Sequence, residues 1–193
     1  MNTQEMLVLK GIYLAPYMQL STALIGKQRH AGGNMFRHQI DTMGILLDYG
    51  YIDSVLLKAS LIHDVVEDVP DFNINQILEI DSESGQVFDL VMEVTKREGQ
   101  NKVDYLKRII EKGTHRAKVL KCADRISNMI SLGFVTNPEF IERYCEETEL
   151  YVFPIALEVN FEMYQELIQL VISRRQYLED SGFLCRRIDS RPN

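Results

Sequence analysis

Four ionisable residues fall in one short stretch, His63-Asp64-Val65-Val66-Glu67-Asp68, at the end of the most apolar segment of the chain. On a helix, His63 would lie one turn from Glu67 and Asp64 one turn from Asp68, so the side chains would form two adjacent columns. Three carboxylates this close repel one another unless a cation or protons compensate them. The stretch therefore predicts a site for a metal ion or for proton transfer, although a His-Asp pair by itself also arises by chance.

Two further segments contain residues of matching type. His38 lies 25 residues before His63, near the start of a predicted amphipathic helix, where it could equally be a hydrogen-bonded structural histidine. Asp124 and Asn128 lie one turn apart on a later predicted helix, where the carboxylate could instead pair with a basic neighbour, Lys121 or Arg125. Together the segments provide two imidazoles and two carboxylates: His38, His63, Asp64 and Asp124.

This set of donors indicates a particular chemistry. Two nitrogen and two oxygen ligands without a thiolate suit Mn2+, Fe2+ or Mg2+, with water completing the coordination shell. Such a centre favours metal-assisted hydrolysis, in which Glu67 and Asp68 would orient the water or transfer its proton. Arginine and lysine side chains could hold phosphate oxygens, and the candidates are Lys27, Arg29, Lys118, Lys121 and Arg125.

Charge and composition restrict the kinds of partner. The 193 residues carry a net charge of −7, yet the segment 96–125 alone is +6. An acidic chain is a poor candidate for non-specific nucleic-acid binding, and the basic segment could be either a solvated helix face or one wall of an anion site. No apolar run is long enough for a membrane span. We therefore expect a small-molecule partner, with no nucleic acid and no membrane, and the oligomeric state stays open.

The cysteines and the N-terminal residues bear on the compartment. The three cysteines, Cys122, Cys145 and Cys185, lack the paired spacing of a disulfide framework or a zinc site. The first residues do not form the basic and apolar pattern of a signal peptide. These features predict a reducing compartment, and we expect a cytoplasmic protein.

The elements that must position these residues are helices. Apolar residues recur at helical spacing through most of the chain, and no strand or hairpin pattern is found. Asn73 and Gln76 have the spacing of a capping box, and Thr114 and Asn137 are candidate N-caps. The predicted helices cover about residues 40–47, 55–66, 73–80, 86–95, 102–112, 115–132, 138–151 and 154–178.

The sequence H(38)…HDVVED(63–68)…KCADRISN(121–128), with Arg29 nine residues before His38, resembles the HD-domain hydrolases of the RelA/SpoT type, and small alarmone hydrolases in particular. The resemblance covers about residues 23–133. It implies an all-α HD-domain helical bundle with a C-terminal helical extension. We expect a single domain over 1–193, with a catalytic core at about 20–135, C-terminal helices at about 138–178 and a loose tail at 181–193.

The resemblance also implies an activity and a role for each matching residue. The activity is removal of the 3′-pyrophosphate of ppGpp and pppGpp, usually with Mn2+. The implied metal ligands are His38, His63, Asp64 and Asp124, and the implied water-activating pair is Glu67 and Asp68. The predicted substrate-binding residues are Arg29, His30, Lys121, Arg125, Asn128 and Ser131.

The chain departs from the family pattern in the loop at residues 30–39, before the first predicted helix. His30 stands where the family usually has lysine, and Asn34-Met35 and Gln39 stand where the tyrosine and proline of PYxxHP usually lie. In the family these positions help to grip the nucleotide. The substrate could therefore be another phosphorylated nucleotide, such as NADPH, a 2′- or 3′-phosphorylated nucleotide or a deoxynucleotide.

Two further points stay open at this stage. A C-terminal tyrosine, Tyr144 or Tyr151, is a candidate to stack on the base. A non-catalytic module that senses nucleotides is a third possible function, and the complete set of metal donors argues against it.

Overall fold

The computed structural model describes residues 1–181, and this part of the chain contains twelve α-helices and no β-strand. The expected all-α fold class is confirmed. The predicted tail at 181–193 lies, except for Ser181, outside the described residues. The helices are α1 (Thr3–Gly11), α2 (Ala15–Ser21), α3 (Met35–Asp48), α4 (Ser54–Ile62), α5 (Val65–Asp68), α6 (Asn75–Leu78), α7 (Ser84–Val94), α8 (Lys102–Lys112), α9 (His115–Ser131), α10 (Pro138–Glu147), α11 (Phe153–Val159) and α12 (Phe161–Asp180).

Side-chain caps explain why several predicted helices are observed almost to the residue. The side-chain oxygen of Asn101 accepts from the N–H of Asp104 at the start of α8, and α8 ends before Gly113. Thr114 accepts in the same way from the N–H of Ala117 at the start of α9. Because these caps bind donors that the first turn would leave unpaired, they set each boundary locally.

Three predicted helices are wrong in detail. The apolar helix predicted over 55–66 stops at Ile62, and α5 begins only at Val65. The capping box of Asn73 with Gln76 does not form, and Asn73 instead accepts from the N–H of Asn75. A π-helix, Thr148–Val152, follows α10, and Asn160 separates α11 from α12, so the C-terminal region contains more breaks than predicted.

Helix α9 lies at the centre of the core, where it packs against α3, α7, α11 and α12. Most of its apolar side chains are buried, with Ile130 the exposed exception, and every residue of α4 from Val55 to Ile62 is buried. Burial of these apolar side chains stabilises the bundle, and it also places the polar residues of α9 inside the protein. None of the helices in residues 1–181 is long and apolar enough to span a membrane.

Candidate active site

Three buried side chains from three parts of the core meet in a group that could hold a metal ion. His38 lies in the first turn of α3, His63 directly follows α4, and Asp124 lies in the middle of α9; one ligand atom from each falls within 4.8 Å of the others. The Nε2 atom of His38 is 3.0 Å from Oδ1 of Asp124, and that of His63 is 3.8 Å from the same oxygen. Residues distant in sequence thus present two imidazoles and a carboxylate to one point.

Asp64 lies beside this group, at the break between α4 and α5. Its Oδ2 atom is 3.5 Å from Nε2 of His38 and 3.3 Å from Nε2 of His63. The Nδ1 atom of His63 donates to the carbonyl oxygen of Ser60, which a continuing helix would use for the next N–H. The break ends the continuous helix predicted over 55–66, although the N–H of Asp68 still bonds the carbonyl oxygen of Asp64 one turn earlier.

The chemistry of these donors fits a divalent cation. Because Nδ1 of His63 carries the proton given to Ser60, Nε2 of the neutral ring has a free lone pair. This buried atom has no hydrogen-bond partner among residues 1–181. Burial disfavours the imidazolium form of His63, but Asp64 and Asp124 outweigh that effect and raise its pKa to about 9. The surroundings therefore favour a positive charge at this point, which a metal ion supplies.

The second imidazole is held in the form that binds metals. Nδ1 of His38 is 2.8 Å from Oγ of Ser127, which orients the ring so that Nε2 faces Asp124. Burial lowers the pKa of His38 and so favours the neutral ring. Hydrogen bonds of this kind to the outer nitrogen of a ligating histidine are typical of metal sites.

Asp124 is held from both sides by residues of its own helix. Lys121 Nζ lies 2.6 Å from Oδ2, and Asn128 Nδ2 lies 2.5 Å from Oδ1. Burial alone would raise the pKa of Asp124, but Lys121 and the two histidines outweigh it and keep the pKa well below its usual range. The ion pair between Asp124 and Lys121 that was considered from the sequence is therefore present. Lys121, which was predicted to hold phosphate, is thus paired with a candidate metal ligand.

A cavity of about 740 Å³ lies next to the donor group, within the usual size of small-molecule sites. Of the predicted substrate residues, those that line it are Arg29, His30, Lys121, Arg125 and Asn128. Ser131 is absent from the lining but is bound to Arg29. Lys118 also lies away from the cavity and pairs with Glu158, so the prediction that it holds phosphate is wrong.

Both residues of the acidic pair, Glu67 and Asp68, line the cavity from α5. Glu67 Oε2 accepts from the backbone N–H of Lys96 at 3.0 Å, and Asp68 Oδ1 accepts from Lys27 Nζ at 2.6 Å. The two carboxylates are thus held separately, one by the segment after α7 and the other by the loop before α3.

The loop before α3 holds Arg29 against the end of α9. Its Nη1 donates to Ser131 Oγ at 3.1 Å and its Nη2 to Asn128 Oδ1 at 2.5 Å. Gly32 has φ +85°, and a Cβ atom there would lie 2.9 Å from the carbonyl oxygen of Ser131. Glycine is therefore required for both the backbone conformation and the close approach that positions Arg29.

Arg125 joins α9 to α10 at the opposite side of the cavity. Its guanidinium lies 4.2 Å from the ring centroid of Tyr144 and donates to Glu147 at 2.5 Å and to Thr148 at 3.3 Å. The side chain is 1% exposed, and these two hydrogen bonds tie it to the junction. Tyr144 lines the cavity and Tyr151 does not, which leaves Tyr144 as the candidate to stack on a base.

The substituted positions of the loop separate into two pairs. His30 and Met35 line the cavity, whereas Asn34 caps α3 by accepting from the N–H groups of Phe36 and Arg37. Gln39 stands at a position that helps to grip the nucleotide in the family, but here it does not line the cavity. Its side chain is fully buried and donates to Asp64 Oδ2 at 2.8 Å.

Other lining residues were not selected from the sequence. They include Lys96, Lys102, Tyr105, Phe140 and Arg143. Lys96 and Lys102 belong to the basic segment, so its charge was a usable signal. Arg143 lies beyond that segment, on α10, and nothing in the local sequence separates it from other surface arginines.

Comparisons with known proteins were made on both sequence and structure. No family model matches the sequence, and no curated protein matches it. Among solved structures, the fold is similar to that of a chain described as a metazoan ortholog of SpoT that hydrolyses ppGpp and plays a role in starvation responses. The TM-score is 0.70 and the sequence identity is 24%, and the similarity covers 88% of this chain and 96% of the other. The two proteins share a fold. The helical-bundle fold expected from the resemblance is thereby confirmed.

Proposed function

We propose that this protein is a metal-dependent hydrolase that removes the 3′-pyrophosphate of ppGpp and pppGpp. The observation that carries the proposal is the position of the two-histidine, one-aspartate group at the edge of a cavity lined by both an acidic pair and basic side chains. The shared fold with a chain described as hydrolysing ppGpp supports the choice of substrate.

Separate groups of residues are our candidates to bind the metal, to activate the water and to hold the pyrophosphate. His38, His63, Asp64 and Asp124 would hold a divalent ion, for which we propose Mn2+ because nitrogen and oxygen ligands suit it. When bound, such an ion lowers the pKa of water and polarises a phosphoryl oxygen.

Glu67 and Asp68 are our candidates to orient the attacking water and accept its proton, since both carboxylates line the cavity near the ligands. Arg29, held at the end of α9 by Asn128 and Ser131, would bind phosphate oxygens and offset the charge that develops as the bond to the ribose oxygen breaks. Lys27 and Lys96 add positive charge beside the acidic pair.

The position of α10 supports a further proposal about organisation. Arg143 and Tyr144 on this helix line the cavity together with residues of the preceding core. We therefore propose one domain, in which a core at about 20–135 holds the metal and the helices at about 138–178 complete the nucleotide site. We also propose that it acts on a small nucleotide in the cytoplasm.

A second candidate is hydrolysis of another phosphorylated nucleotide at the same metal site. The observation that favours it is that two of the substituted loop residues, His30 and Met35, line the cavity. The imidazole of His30 and the thioether of Met35 differ in charge and in hydrogen bonding from the lysine and tyrosine that the family usually has at these positions.

Three variants test the proposed roles in one experiment. Asp124→Asn should lose both Mn2+ binding and pyrophosphate release, whereas Glu67→Gln should keep Mn2+ and hydrolyse ppGpp about 10²- to 10⁴-fold more slowly, the usual contribution of proton transfer. Glu79→Gln removes an exposed carboxylate at the end of α6, away from the cavity, and should match the wild type. Full activity of either site variant would contradict the assignment.

A further inference from the structure

Gln39 is a fully buried polar residue whose amide reaches one of the candidate metal ligands. It follows His38 directly on α3, and its Nε2 donates to Oδ2 of Asp64 at 2.8 Å. We infer that Gln39 is a positioning residue that holds the Asp64 carboxylate toward the metal. The inference rests on the proposed metal site and adds a residue to its outer shell.

Asp64 needs such a partner because of where it lies. It occupies the break between α4 and α5, where no regular helix fixes the side chain, and a quarter of that side chain is exposed. Its Oδ2 is near Nε2 of both His38 and His63. Once those nitrogens bind a cation they cannot donate to Asp64, and within residues 1–181 the amide of Gln39 is the side-chain donor that remains.

The two ligand carboxylates are therefore supported differently. Asp124 is held by an ammonium group, that of Lys121, together with the amide of Asn128. Once the two histidines bind a cation, the side-chain donor left to Asp64 within residues 1–181 is the neutral amide of Gln39. A neutral donor fixes the direction of a carboxylate without cancelling its charge, so Asp64 keeps its full attraction for the cation.

The carbonyl oxygen of the Gln39 side chain, Oε1, indicates that the hydrogen bond from Nε2 to Asp64 is the main polar contact of this residue. Oε1 is buried, and the described part of the chain, residues 1–181, offers it no hydrogen-bond partner. An unpaired buried acceptor destabilises a fold, so an apolar side chain of similar volume should be accommodated at least as well in the protein without metal. The favourable contact of the amide is the one with Asp64.

The test compares Mn2+ affinity and stability in Gln39→Met, which keeps the side-chain length, and Gln39→Leu, which provides a second apolar replacement. We expect Mn2+ binding measured by titration calorimetry to weaken about 10- to 100-fold in both, as for other outer-shell substitutions. The thermal midpoint in EDTA should not fall. Thr42→Val is the matched control, because Thr42 is equally buried one turn along α3 and bonds only the carbonyl oxygen of His38; its Mn2+ affinity should equal that of the wild type.

The outcomes separate this inference from the proposed function. If the wild type and both Gln39 variants bind Mn2+ equally, the inference about Gln39 is wrong and the metal site stands. A lower thermal midpoint with unchanged Mn2+ affinity would make Gln39 a purely structural residue and would also overturn it. Failure of the wild type to bind Mn2+ would overturn both the inference and the metal-dependent function.

Discussion

Replacing Lys121 with methionine removes the charge that balances Asp124 and keeps most of the apolar stem. The two side chains form an ion pair at 2.6 Å and are 11% and 10% exposed, so solvent screens the pair little. Removing one partner of a buried ion pair typically destabilises a protein by about 3–5 kcal/mol, because the other charge stays buried and unpaired. Asp124 keeps its hydrogen bond from Asn128, so we expect the lower end, about 3 kcal/mol.

That loss of stability is large enough to measure by thermal unfolding. For a chain of this size, 1 kcal/mol corresponds to about 2–4 °C in the thermal midpoint, which predicts a decrease of about 6–12 °C in EDTA. Saturating Mn2+ should reduce the difference between Lys121→Met and the wild type, because the cation compensates the same carboxylate. The assay is circular dichroism at 222 nm on both proteins, with EDTA and with Mn2+.

Lys118→Met is the control for this prediction. Lys118 also lies on α9 and is mostly buried, but it pairs with Glu158, whose side chain is 57% exposed. Such a pair contributes about 1 kcal/mol or less, and we expect a small change that Mn2+ does not alter. If Lys121→Met is as stable as the wild type, or if its deficit is the same with and without Mn2+, the reasoning about charge balance at Asp124 is wrong.

Three more outcomes follow from contacts at the site and in the core. Arg29→Ala should raise KM for ppGpp about tenfold or more, since a hydrogen bond to a charged group contributes about 1.5–3 kcal/mol; unchanged steady-state kinetics would exclude a phosphate contact. Lys58 is almost fully buried, and its partners Asp81 and Glu83 are partly exposed. Urea unfolding of Lys58→Met should therefore show a loss of about 1–3 kcal/mol, between the values for exposed and buried pairs, and an unchanged midpoint would refute this. Burial opposes ionisation of Asp81, but Lys58 outweighs it and lowers the pKa of the Asp81 and Glu83 carboxyls. The stability that these two carboxylates contribute is present above the ordinary pKa of about 4 and is lost as pH falls below it. The wild type should therefore lose more stability than Lys58→Met in acid, and parallel pH profiles would contradict this.

Signals that act within a few residues were readable from the sequence. The caps at Asn101 and Thr114 bind N–H groups three residues away, so the boundaries of α8 and α9 depend on little else. The apolar periodicity also predicted that α9 would be buried on one face. The break after α4 was not predicted, because no glycine or proline marks it; the side chain of His63 instead takes the carbonyl of Ser60.

The partners of individual polar side chains depend on the tertiary fold. Three basic residues of one predicted helix were equivalent candidates to hold phosphate, namely Lys118, Lys121 and Arg125. The packing of α9 against its neighbours gives Lys118 and Arg125 partners on other helices, Glu158 and Glu147, whereas Lys121 pairs with Asp124 on α9 itself. The contact of Gln39 with Asp64 was hidden for the same reason, since it joins α3 to the break after α4.

The meeting of the three metal donors, His38, His63 and Asp124, could be predicted only in part from local signals. Spacing along the chain predicted helices that carry His38, His63 and Asp124, but no local rule brings residues so far apart to within 4.8 Å. The resemblance to HD-domain hydrolases supplied that expectation. The structure adds the lone pair of His63 and the ion pair of Asp124, which give the group a physical reason to hold a cation.

The most direct test of the central claim is to identify the products that the Mn2+-loaded wild type forms from ppGpp, with NADPH and other phosphorylated nucleotides as parallel substrates. Our account predicts GDP and pyrophosphate in equal amounts from ppGpp, and neither product when EDTA is present. Intact ppGpp in the presence of bound Mn2+ would contradict it, and cleavage of another nucleotide in that experiment would favour the second candidate function.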